Sequence, residues 1–415
     1  MNMIVEPQYL IIPVVYVTFI ISCFIFHKLK LLPHIDNGES RYAHIDGLRG
    51  LAAVGVICSH SWRTSFSGVN APEILKADVS FNVMLGSMGV QMFFCITGFL
   101  FFDKILKSKD INWNMFFLSR VKRLAPLYIF ACSIVAITML TYTNFSFTGE
   151  YIMKTVKVFS FGLYGTSYNI DGVELGHTIS VLWTLPYEWK FYLFLPFAVL
   201  CLSDRRFTIA AVVISLLWSI SFLSFDDGIL YCYFITGGVT AVLLRKIHLR
   251  GGFALNIIFF VIMIINIYSI YWKIPDYGYE RFILSSLMFI SIMFASPAIL
   301  KLKTLRLLGE ISYSTYLMHA IIFFLVGSLI KQSLNTTYHG SEYYLFVLSI
   351  LCACIASISV VTFKYIEYPF IKKHVKYQGN AICLQPSSEQ ILQTSMDVSK
   401  DLTKNAITIE QRQNY

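Results

Sequence analysis

The chain has 415 residues, 56% of them hydrophobic and only 14% charged. Soluble domains are about one-quarter charged, and the mean hydropathy is +0.63, so an ordinary soluble enzyme is excluded and a polytopic membrane protein is expected. The net charge of +9 reads as basic cytoplasmic loops; no aromatic and basic platform for nucleic acid is visible. Nine cysteines are scattered, mostly in apolar runs, without zinc or redox spacing. They read as small buried hydrophobes, and no metal site is expected.

The first apolar run covers residues 9–26. Only Glu6 is charged ahead of it, so the basic region of a signal peptide is missing and a retained span is expected. His27, Lys28, Lys30 and Arg41 follow. Positive-inside logic puts that loop in the cytoplasm and the N-terminus outside.

A second span, residues 45–62, runs outward. Arg49 and His60 within it are eleven positions apart. On a helix that is about three turns, so both side chains share one face, about 16 Å apart along the axis. Ionisable residues inside a membrane are costly and mark function by default. Arginine forks onto phosphate oxygens, and a neutral imidazole accepts a hydroxyl proton. The plainer alternatives are a snorkelling arginine paired to Asp46 and a hydrogen-bonded core histidine. Gly47, Gly50 and Gly55 permit close helix approach or a slim ligand channel.

Span 81–102 returns inward to Lys104 and Lys107. The basic run Arg120-Val-Lys-Arg123 precedes an outward span, 124–142, with Pro126 in its expected first turn, where proline is tolerated. Residues 143–177 form the longest outer segment, with room for a short interfacial helix. Span 178–202 contains Trp183, Glu188, Lys190 and Tyr192, and Pro186 is expected to bend it, as happens where a span lines a cavity. Glu188 has three open roles: orienting His60, binding an acceptor hydroxyl, or pairing with a cation. Further spans are expected at 207–225, 229–244, 253–272, 282–300, 311–330 and 343–363. The total is about eleven helices at roughly 20 residues each. That odd number, with the basic loops, leaves the C-terminus in the cytoplasm. Residues 376–415 are polar without apolar periodicity and read as a disordered cytoplasmic tail.

Several stretches together resemble the membrane acyltransferase-3 family. Asp46-Gly-Leu-Arg49 through His60 is similar to its first segment, with an arginine, ten residues, then a histidine. Gly89–Leu100 resembles its second, with Gln91 in place of the usual acidic or polar residue and Thr97 in place of serine. Arg120-Val-Lys-Arg123 matches its RxxR. Leu182–Tyr192 resembles its WSLsvEeqFY segment, with Lys190 departing from the usual glutamine. Gly309–His319 and Tyr365–Phe370 match its last two segments, with Tyr368 where arginine is usual.

The resemblance implies an all-α membrane O-acyltransferase: acyl-CoA, expected as acetyl-CoA, is the donor, and a hydroxyl of an extracytoplasmic or lipid-linked glycan is the acceptor. It implies a catalytic His60 with Arg49 and Glu188, donor binding by Arg120, Arg123 and Arg49, and acceptor contacts from Trp183, Tyr192, Asp46 and His319. The expected organisation is an extra N-terminal helix with its link (1–40), the acyltransferase domain (41–375) and the tail (376–415), in a bacterial inner membrane. The tail is too short for an appended esterase-like domain, so transfer is expected to finish on this chain or on a separate extracytoplasmic partner. From the residues alone, a multi-pass transporter using buried His, Glu and Lys as a proton relay, or a non-catalytic scaffold, stays open.

Overall fold

The computed structural model describes residues 10–33, 42–61, 80–107, 111–164, 169–170, 173–174, 176–203, 228–247, 249, 251–272, 274–334 and 341–371. Arg41, the expected span 207–225 and the expected tail 376–415 lie outside the described residues. The chain divides into two units, Met1–Glu367 and Tyr368–Tyr415, and everything below concerns the first.

Twelve α-helices are described: α1 (Ile11–Lys28), α2 (Ala43–Ser61), α3 (Ser80–Lys107), α4 (Trp113–Tyr142), α5 (Gly149–Val158), α6 (Leu185–Ser203), α7 (Ile229–Lys246), α8 (Phe253–Tyr268), α9 (Tyr279–Ala295), α10 (Lys303–Glu310), α11 (Ser312–Leu334) and α12 (Ser341–Thr362). A small antiparallel pair, β1 (Asn169–Ile170) with β2 (Val173–Glu174), is the sole sheet among the described residues. Six helices, α1, α3, α4, α7, α11 and the one beginning at Ser341, are long and apolar enough to cross a membrane. Helices α2, α6, α8 and α9 coincide with four more expected spans. The first two carry charged residues, and α8 and α9 are only 16 and 17 residues long.

Three elements differ from expectation. Helix α4 begins at Trp113, where the Asn112 side chain accepts from the Met115 amide at 3.0 Å, a standard N-cap. Pro126 therefore lies inside the helix, where it removes the bond to the Lys122 carbonyl, and Arg120 and Arg123 stand one turn apart on a helix face. The expected span 178–202 is split into a 3₁₀ segment, Gly176–Thr184, and α6. Pro186 falls in the first turn of α6, where its missing N–H costs no helical bond. The expected span 282–300 stops at Ala295, because Ser296 turns left-handed (φ 48°) ahead of Pro297. A 3₁₀ turn, Ala298–Lys301, then leads into α10. Helix α10 is amphipathic and buries Leu305, Leu308 and Gly309.

Helix α3 packs between α2 and α7. A Cβ on Gly98 would collide with the Phe234 carbonyl, and one on Gly237 with that of Cys95. Gly98→Val is expected to cost about 1–3 kcal/mol through overpacking, read as a lower thermal midpoint in detergent; an unchanged midpoint would contradict this contact. At the Arg49 end of the bundle Asp103 accepts from Tyr42 Oη at 3.0 Å, from Lys107 Nζ, and from Arg245 Nη2 at 3.1 Å. Arg245 also donates to the carbonyls of Asp103 and Leu106, both at 2.9 Å. The Leu106 carbonyl is in the last turn of α3, where no helical amide can reach it, so Arg245 satisfies an orphaned acceptor.

Candidate active site

Between α2, α3, α4, α6 and α11 lies a cavity of about 290 Å³. Arg49, Lys104, Arg120 and Arg123 line it, with Glu188 as the single carboxylate on its wall among the described residues. Four cations against one acid suit a polyanionic guest. Each side chain arrives from a different constraint. The glycines of α2 seat that helix against its neighbours: a Cβ on Gly47 would strike the Leu300 carbonyl, and one on Gly50 would meet α10 at 2.9 Å. The extended α4 presents Arg120 and Arg123, and the break before α6 puts Glu188 in that helix's first turn, where a negative charge is favoured.

Glu188 accepts from Tyr192 Oη at 2.8 Å, and Arg120, Arg123 and Arg49 all lie within electrostatic reach of it. The Arg120 guanidinium sits 5.1 Å over the Phe101 ring, an attractive cation–π arrangement. Phe101 in turn meets Tyr192 edge-on at 5.1 Å. A second carboxylate approaches from α12, whose end winds into a π-helix, Phe363–Glu367. Such bulges are frequent at functional sites. Glu367 is 1% exposed, accepts from Ser314 Oγ, and lies within electrostatic reach of Arg123 and Arg49.

His60 is half-buried at the other end of α2 and is not on the cavity wall. Its Nδ1 lies 2.8 Å from Nε2 of His319, a residue 259 positions away. His319 is completely buried. Tyr316 is on the cavity wall, and its ring centroid is 6.3 Å from that of His319. Tyr316 Oη donates to the Val181 carbonyl at 3.1 Å and lies 3.1 Å from Thr184 Oγ1. Both hydroxyl-bearing residues line the cavity, and Tyr316 adjoins His319.

Residues 42–366 match the family profile described as "Acyltransferase domain". The chain belongs to the acyltransferase-3 family. It is 24% identical over 379 residues to the O-acetyltransferase OatA of Staphylococcus aureus, covering 80% of this chain and 57% of that one. It is also 27% identical over 174 residues to Nodulation protein 10 of Rhizobium leguminosarum bv. viciae, covering 40% of this chain and 46% of that one. The chain thus spans a little over half the length of the OatA proteins it matches. No solved structure matches it significantly.

Within this acyltransferase-3 chain, Thr97 and Tyr192 also line the cavity, whereas Asp46, Trp183 and Gln91 do not. Asp46 is one turn before Arg49, and its carbonyl packs against Gly309 of α10. Trp183, on the 3₁₀ segment, meets Tyr187 and Tyr277 edge-on at 5.9 and 6.1 Å. Gln91, the departure from the family pattern, uses both ends of its amide. Its Nε2 donates to the Asp276 carbonyl at 2.7 Å and its Oε1 accepts from Ser285 Oγ at 2.6 Å, a pairing no carboxylate could make. Sequence reasoning gave no site role to Lys104, Tyr313, Tyr316 or Glu367. Ser312, Tyr316 and His319 recur at helical spacing on α11, and that polar stripe on an apolar helix was the available signal.

Proposed function

We propose that this chain is a multi-pass membrane O-acyltransferase that moves an acyl group, acetyl in the simplest case, from cytoplasmic acyl-CoA to a hydroxyl of an extracytoplasmic or lipid-linked glycan. One observation carries the reading: a cavity with three arginines has on its wall a tyrosine that adjoins His319, the partner of His60. Phosphate-binding cations and a proton acceptor thus lie in sequence along one bundle. The Arg49 end faces the cytoplasm in this reading, since Lys104, Lys107, Arg245, Lys246, Lys301 and Lys303 gather there. That gives about eleven spans, an outer N-terminus and a bacterial inner-membrane location, with 41–375 as the catalytic domain.

Arg49, Arg120, Arg123 and Lys104 hold the donor's phosphates, and its acyl end reaches past Tyr316 and Thr184. His60 takes the proton of the acceptor hydroxyl. The oxygen attacks the thioester carbonyl, the C–O bond forms and the C–S bond breaks. The departing thiolate then recovers the proton from His60. Transfer through an acyl-histidine is the two-step variant of the same chemistry. Trp183 and Tyr192 offer aromatic faces to the reactants.

Mass spectrometry of surface glycans from cells with and without the gene tests the function. An acyl mass lost on deletion and restored on complementation is expected. Identical glycans, together with solute counterflow in CoA-free vesicles, would overturn it in favour of a transporter.

A further inference from the structure

We infer that His319 is a positioning residue that fixes the tautomer of His60, keeping the lone pair of the neutral ring on His60 Nε2. This rests on the reading of His60 as the base. His319 Nδ1 lies 2.7 Å from the carbonyl of Tyr316 and 3.3 Å from that of Thr315. Carbonyl oxygens only accept, so Nδ1 carries the hydrogen and donates. In the neutral ring Nε2 is then the acceptor. The atom facing it at 2.8 Å is His60 Nδ1. Two bare nitrogens at that distance would repel, so His60 carries its hydrogen on Nδ1 and donates it. The remaining lone pair of His60 is therefore on Nε2.

Ring geometry agrees. The two planes are 11° apart with centroids separated by 5.1 Å. Near-parallel rings with nitrogens 2.8 Å apart at that separation meet edge to edge, the arrangement of an in-plane N–H···N bond. The order of donors runs outward from a helix backbone: His319 is held by the carbonyls three and four residues before it, and His60 is held by His319. When His60 accepts a hydroxyl proton at Nε2, its Nδ1–H stays on the His319 lone pair. That bond becomes charge-assisted and stronger. His319 takes no proton in the cycle, and the one gained at Nε2 leaves with the thiolate.

The test needs no acceptor. Magic-angle-spinning NMR of the full chain in lipid vesicles, labelled with ¹⁵N-histidine, reads the tautomer, and His60→Gln identifies the His60 signals by subtraction. The wild type is expected to show a protonated Nδ1 and a bare Nε2 at His60. His319→Leu, which has no acceptor, is expected to lose that signature and to slow entry of labelled acetyl into surface glycan by up to about 10⁴-fold, as a wrong-tautomer histidine does. His319→Gln keeps an acceptor at the Nε2 position and is expected to retain the signature and restore the rate to within about tenfold of wild type. A proton on Nε2 of His60 in the wild type would overturn the inference, as would an unchanged tautomer and rate in His319→Leu. If the tautomer is as stated but His60→Gln still acylates, the tautomer assignment survives and the role of His60 as base falls.

Discussion

His60→Ala is expected to lower acyl transfer on the order of 10²–10⁴-fold, the span that a positioned general base supplies. The protein should still insert and fold. The seating of α2 rests on Gly47, Gly50 and Gly55 and on fully buried Ala53, Ile57 and Cys58, none of which the substitution touches. Measured as the initial rate of labelled acetyl entering surface glycan, with membrane protein level as the control, the loss should be one of turnover. Normal acylation by a correctly inserted His60→Ala protein would remove the histidine from the mechanism. The magnitude also separates chemistry from packing, because truncating a half-buried imidazole with a neighbouring imidazole would not by itself slow the reaction a hundredfold.

Arg123→Ala should act on the donor instead. A hydrogen bond to a charged group contributes about 1.5–3 kcal/mol, so losing one phosphate contact should raise the donor KM by about 10- to 100-fold, with a smaller change in kcat. Arg123 has a second effect. It lies within electrostatic reach of both Glu188 and Glu367, and removing it leaves two buried acids with less compensation, which further disfavours an anionic guest. Raising the salt concentration should weaken donor binding to the wild type more than to Arg123→Ala. Arg120→Lys makes a useful companion, since it keeps the charge but loses the planar fork and the contact over Phe101. A donor KM unchanged by Arg123→Ala would place the donor elsewhere.

Much of the scaffold was legible because apolar runs of membrane length are a strong signal, and ten of the expected spans coincide with described helices. Two of the three differences fall where the chain departs from a continuous helix, and the third where α4 runs on unbroken ahead of Pro126. Nothing in the run 178–202 required a 3₁₀ segment ahead of Pro186, and Ser296 is not a residue type that announces a left-handed turn. The amphipathic α10 falls between the expected spans 282–300 and 311–330, because its eight residues are too few to register as a span. Among the site residues, Arg49, Arg120, Arg123 and Glu188 were visible as charges in apolar surroundings, where the cost of burial demands a reason. Glu367 lies within the matching segment Tyr365–Phe370, but its place near Arg123 and Arg49, at the end of the π-helix, is a tertiary feature.

Residue order by itself determined that the chain is a helical membrane protein, that Arg49 and His60 lie on one helix, and that an RxxR pair stands apart from them in sequence. These follow from hydropathy and from the period of a helix, both local properties. Tertiary structure alone decided that the arginines share a cavity, that Glu188 joins them, and that His60 meets His319. Such meetings depend on glycine-mediated helix approach and on breaks in helices. They join residues up to 259 positions apart, and no local period encodes them.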